Sequence, residues 1–107
     1  MSTITSHILD TSRGCPAAGI KIILFVQQGD AWPELHRTIT DADGRIAPWT
    51  VAPGRYKLRF ETRAYFDLQT VSTFYPFVEI HFETGDDVHY HIPLLLSPWG
   101  YSTYRGS

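Results

Sequence analysis

Two histidines two residues apart, His89 and His91, lie in the segment HYHIPLLLSP near the end of this 107-residue chain. On an extended strand residues i and i+2 point the same way, so the pair presents two imidazoles to one side. Such a pair can ligate a metal. The metal reading finds no further donors. The next positions on that face are Pro93 and Leu95, and the glutamate that a cupin pattern wants is replaced by Leu94-Leu95-Leu96. The opening STITSHILD supplies a further imidazole, His7. The chain closes on Tyr104-Arg105-Gly106-Ser107 rather than on a ragged polar tail, so the end of the chain is expected to take part in the site. Glycine-rich phosphate loops, paired carboxylates and Ser-His-Asp signatures are absent.

The elements that must hold these groups are strands. Ser2 to Leu9, Ile20 to Gln27, Leu35 to Thr40, Arg55 to Glu61, Phe77 to Glu83 and Val88 to Leu96 alternate or run apolar over strand lengths. In Arg55 to Glu61, Tyr56, Leu58 and Phe60 face inward while Arg55, Lys57, Arg59 and Glu61 face water. Asp10 to Ala17, Asp41 to Gly44 and Pro53-Gly54 read as turns, and Gly85-Asp86-Asp87 reads as a hairpin between the last two strands. Only Glu61 to Thr70 carries helix-compatible spacing, with Ala64, Tyr65, Leu68 and Gln69. Seven or eight short strands with close turn signals predict a β-sandwich.

Strand phase decides where the histidines point. If Ile4, Ser6 and Ile8 face the core, then Thr3, Thr5, His7 and Leu9 face away from it. If Tyr90 and Ile92 face the core with Val88, then His89, His91, Pro93 and Leu95 face away. His7 and His91 meet only if their strands are neighbours in one sheet. An outward face that mixes leucine, proline and histidine predicts burial against another subunit. His36 and His81 read as ordinary surface or hydrogen-bonded histidines, and Arg45, after Asp43-Gly44, reads on its own as a solvated turn residue.

Composition bounds the rest. The length fits a single domain over residues 1–107. Apolar residues make up 43%, which argues against disorder, and aromatics 14%, which suits strands and an extra interface. A net charge of −2 with no basic run gives nucleic acid and acidic membranes no electrostatic footing as partners. No signal-like or spanning stretch follows Met1, so a cytoplasmic place is expected. The lone Cys15 forms no internal disulfide and reads as a packed or idle thiol.

Taken together, SHILDTSRGCPAAGIKI, TDADGRI, PGRYKLRFETRAYF, FYPFVEIHF and HYHIPLLLSPWGYSTYRGS resemble, in order and over nearly the whole chain, the 5-hydroxyisourate hydrolases of the transthyretin-like family. The middle stretches recur in other prealbumin-like domains; the two ends are the specific part. The resemblance implies an all-β, transthyretin-like (prealbumin-like) β-sandwich of two four-stranded sheets with one short α-helix. It implies a homotetramer, built as a dimer of dimers, with sites in the channel where the dimers meet. The activity implied is hydrolysis of 5-hydroxyisourate to 2-oxo-4-hydroxy-4-carboxy-5-ureidoimidazoline in urate catabolism, with neither metal nor organic cofactor. Carried over position by position, the catalytic set is His7, Arg45, His91 and Ser107, and Tyr104, Arg105 and Gly106 complete the substrate pocket. Asp41 stands where the family commonly has Asn, and Trp99 where Tyr is usual. The rivals are a transthyretin-type small-ligand carrier and a non-catalytic prealbumin-like module, neither of which accounts for His7, Arg45, His91 and the YRGS ending together.

Overall fold

Alternation of apolar and polar residues drives most of this chain into strands. The computed structural model describes Met1–Ser107. In chain order the elements are β1 (Ser2–Asp10), β2 (Cys15–Pro16), β3 (Lys21–Val26), β4 (Glu34–Ile39), β5 (Trp49–Val51), β6 (Gly54–Phe60), α1 (Thr62–Asp67), β7 (Val78–Thr84), β8 (His89–Ser97) and β9 (Gly100–Thr103). One sheet runs β2-β1-β8-β9, with β5 also on β1, and the other runs β4-β3-β6-β7. Two sheets and one short helix are what the sequence predicts. The first sheet counts five strands because two short ones share an edge: β2 pairs with Leu9 and Asp10, and β5 with Ser2 to Ile4.

The inner faces meet in one apolar layer. Ile4, Ile8, Leu24, Leu58, Phe60 and Leu94 are completely buried there. Burying each such side chain stabilises the fold by about 1.5–3 kcal/mol, so the sandwich rests on this layer rather than on its surface ion pairs. Along β1 burial alternates strictly, with Ser2, Ile4, Ser6, Ile8 and Asp10 inside. The polar members of that row are satisfied. Ser6 Oγ donates to the Ile92 carbonyl at 2.7 Å, and the Asp10 carboxylate accepts from the Tyr65 hydroxyl at 2.7 Å. That second bond ties α1 to the first sheet, because Tyr65 and Phe66 are its buried face.

Two sequence expectations need correction. Gly85-Asp86-Asp87 does not close a hairpin: β7 belongs to the second sheet and β8 to the first, so the loop crosses between layers. Turn residues announce a reversal but not which sheet receives the returning strand. The crossover is fastened by the Gly85 amide, which donates to the Tyr90 hydroxyl at 2.7 Å. Val88, assigned to the inner phase, lies in that crossover and is 79% exposed. No helix is long and apolar enough to cross a membrane.

Candidate active site

β1 and β8 are neighbours and run parallel, with Thr3 opposite His89, Thr5 opposite His91 and His7 opposite Pro93. The condition for the histidines to meet is therefore fulfilled. Their outer faces carry Thr3, Thr5, His7, His89 and His91 on one surface. Thr5 Oγ lies 2.8 Å from Nδ1 of the half-buried His91. Thr5 Oγ also lies 3.1 Å from Nε2 of His89, whose Nδ1 is 2.8 Å from Thr3 Oγ. The two imidazoles are nearly parallel, with ring centroids 6.4 Å apart.

Arg45 reaches this surface from a tight turn. The Asp41 carboxylate accepts from the amides of Asp43 and Arg45, at 2.9 and 3.0 Å. Gly44 takes φ of +73°, and a Cβ there would lie 2.5 Å from the Ile8 carbonyl oxygen, so only glycine fits. The Gly44 carbonyl accepts from the Ile8 amide at 2.9 Å, which sets the backbones of His7 and Arg45 side by side. An Asn at position 41 would supply the same acceptor oxygen, so the Asp41 departure from the family pattern leaves the turn's logic intact.

The final residues continue β9 along β8. After Thr103, opposite Leu94, the same register places Gly106 opposite His91, and the Gly106 amide donates to the His91 carbonyl at 2.8 Å. Ser107 then lines a cavity of about 340 Å³ together with Thr5, Ser6, Arg45, Ile46, His89 and His91. The structure thus brings Arg45, His91 and Ser107 around one cavity, and His7 lies beside Arg45. Gly106 contributes by lying against the His91 ring. Tyr104 and Arg105 are placed elsewhere within this chain. They line a separate cavity of about 290 Å³ with Ile80, Phe82, Tyr90 and Ile92. Arg105 donates to Asp87 at 3.0 Å and lies over the Tyr90 ring.

Electrostatics single out His91. Burial lowers its pKa below the usual histidine range, and the positive charge of Arg45, with smaller effects from His89 and His7, lowers it further. The ring is therefore neutral at neutral pH. With Nδ1 engaged by Thr5, Nε2 is the nitrogen left for water or a substrate. A neutral imidazole beside a guanidinium in a small cavity can accept a proton while the guanidinium steadies a developing oxyanion.

The sequence reading did not single out Thr5, and it weighed His89 only as a metal ligand. Both lie on the outward phase; only the β1–β8 register reveals their link to His91. His36 and His81 are aromatic packing partners, stacked on Trp49 at 5.4 Å and edge-on to Trp32 at 5.2 Å. Nowhere do three His, Cys, Asp or Glu side chains gather as a metal site requires.

Residues 4–106 match the HIUase/Transthyretin family. A Schizosaccharomyces pombe protein named "Probable 5-hydroxyisourate hydrolase" is 47% identical over 112 residues, covering 97% of this chain and 90% of its own. The solved structure of Klebsiella pneumoniae 5-hydroxyisourate hydrolase superposes with a TM-score of 0.87 at 38% identity, covering 100% of this chain and 94% of that one. Sea bream transthyretin in complex with thyroxine superposes with a TM-score of 0.91 at 30% identity, covering 96% of this chain and 93% of that one.

Proposed function

The chain belongs to the HIUase/transthyretin family, and from that premise we propose that it is a 5-hydroxyisourate hydrolase acting in urate catabolism. The observation that carries this reading is the meeting of His91, Arg45 and Ser107 at one cavity, with His91 held neutral and its Nδ1 engaged.

The reaction opens the six-membered ring at an amide bond. Water's oxygen bonds to the carbonyl carbon as one of its protons passes to His91 Nε2. The carbonyl electron pair moves onto oxygen, where the Arg45 fork stabilises it. The C–N bond then breaks as the ring nitrogen takes a proton from the imidazolium. His7, next to Arg45, orients the substrate and shares the proton traffic. The Ser107 hydroxyl hydrogen-bonds the ring. Nothing in this sequence of steps calls for a metal or an organic cofactor.

The site as one chain presents it lies on an outer sheet face, flanked by the half-buried Leu9 and Leu95. Phe74, Trp99, Tyr101 and Tyr104 are exposed around β9. This distribution supports a homotetramer, assembled as a dimer of dimers, that closes the face into a channel. Tyr104 and Arg105 then belong to the channel's substrate-binding surface rather than to the His91 cavity of their own chain.

A carrier role is the second reading, favoured by the likeness to the thyroxine-bound sea bream protein. Freshly prepared 5-hydroxyisourate separates the two. Its near-ultraviolet absorbance should decay faster with the protein than in buffer. A carrier binds without changing the decay rate, and equal rates would overturn the hydrolase reading.

A further inference from the structure

The parallel register of β1 and β8 sets four hydrogen-bonding groups in a row. Thr3 Oγ donates to the Val88 carbonyl at 3.4 Å and lies 2.8 Å from His89 Nδ1. Thr5 Oγ bridges His89 Nε2, at 3.1 Å, and His91 Nδ1, at 2.8 Å. Each hydroxyl has one proton to give, and each neutral imidazole has one N–H and one acceptor nitrogen. The Val88 carbonyl can only accept. Once Thr3 donates there, Thr3 Oγ must accept from His89 Nδ1–H. His89 Nε2 is then an acceptor and takes the Thr5 proton. Thr5 Oγ, its proton committed, accepts from His91 Nδ1–H. The reversed chain places the N–H of His91 on Nε2 and gives up the Val88 bond.

We infer that Thr5, backed by His89 and Thr3, is a positioning residue that holds neutral His91 as the Nδ1–H tautomer, with a free lone pair on Nε2. The catalytic meaning rests on the proposed hydrolase reading; the tautomer itself is a property of the free protein. Which ring nitrogen carries the proton is set by the bond the other one makes, and only an unprotonated Nε2 can receive a proton from the attacking water. The other groups facing His91 are Arg45, His89 and His7, all cationic or able to become so. They disfavour the doubly protonated ring but do not choose between the neutral tautomers. That choice falls to the hydrogen-bond chain that reaches His91 through Thr5 and is anchored at the Val88 carbonyl.

Ring-nitrogen NMR of ¹⁵N-histidine-labelled, ligand-free protein near pH 7.5 (a pH chosen to be about one unit above free imidazole) reads the tautomer directly. Wild type should show His91 protonated at Nδ1. Thr5→Val, which keeps the shape and removes the hydroxyl, should shift His91 toward Nε2–H. Its kcat should fall about tenfold while KM stays close to wild type, a smaller loss than the ~10²–10⁴ that the base itself supplies. Thr5→Ser should restore both tautomer and kcat, and His89→Phe should weaken the Nδ1–H preference without touching Thr5. His91 protonated at Nε2 in wild type, or an unchanged tautomer in Thr5→Val, overturns the relay. An Nδ1–H reading in a protein that leaves 5-hydroxyisourate untouched upholds the relay and overturns the hydrolase reading instead.

Discussion

A Cβ placed on Gly106 would lie 2.5 Å from Cδ2 of His91, so the imidazole leaves no room for a side chain at position 106. Thr5 therefore bounds the ring on its β1 side and Gly106 on the other. A histidine held on both flanks, in the role proposed for His91, loses little entropy when it reacts.

Gly106→Ala is the direct consequence. The backbone of Gly106 lies outside the left-handed region, so the cost is steric and falls on His91. A displacement near 1 Å costs a well-aligned site about 10²-fold, and kcat should drop on that scale. Thermal melting should shift little, because the contact is outside the core. Steady-state kinetics beside a melting curve check both halves; wild-type kcat would show that the ring tolerates the push.

The Asp41 turn positions Arg45, so its acceptor oxygen matters more than its charge. Asp41→Asn should keep kcat/KM near wild type, because the amide oxygen still accepts from residues 43 and 45. Asp41→Ala strands two amide donors and should cost about 1 kcal/mol of stability, with a larger loss in kcat/KM as Arg45 drifts. Equal kcat/KM in the alanine and asparagine variants would disconnect the turn from catalysis.

The lowered pKa of His91, caused first by burial and then by Arg45, His89 and His7, has two pH signatures. In the proposed mechanism neutral imidazole is the active form, so the acid limb of kcat/KM should fall below the free-histidine value of about 6.5. In stability, the unfolded chain binds more protons than the folded one between the two pKa values. The contribution of His91 to stability is thus fully present above about 6.5 and is lost as pH falls from there through the folded value. An NMR titration of His91 checks the shift. Arg45→Gln should move its midpoint upward, and an unmoved midpoint would remove Arg45 as a cause.

Beyond the site, the turn that follows α1 holds Thr70 at a φ of +57°, which is unfavourable for a β-branched residue. The Val71 amide reaches back to the Phe66 carbonyl at 3.0 Å and holds that conformation. Thr70→Gly should stabilise the fold by about 1 kcal/mol in denaturant unfolding. A destabilised variant would show that the threonine makes contacts worth more than the strain it bears.

Much of this was legible in the sequence, and for physical reasons. Alternation is a local property, so Ile4-Ser6-Ile8 and Tyr56-Leu58-Phe60 announced their buried faces and turned His7 and His91 outward. Register is not local. Thr5 carries no mark of its link to His91 until β1 and β8 are known to run side by side. The crossover at Gly85 to Asp87 was misread for the same reason, since turn chemistry does not specify a sheet. Short strands such as Trp49–Val51 exist because β1 offers them an edge, a fact absent from their three residues.

The central claim is that His91 activates water at the cavity it shares with Arg45. The most direct test compares 5-hydroxyisourate turnover by wild type and His91→Ala at matched folded concentration, verified by melting curves. The account predicts that the variant folds and loses turnover by about 10² or more, the scale of a positioned base. A folded His91→Ala protein that opens the ring at the wild-type rate would contradict it.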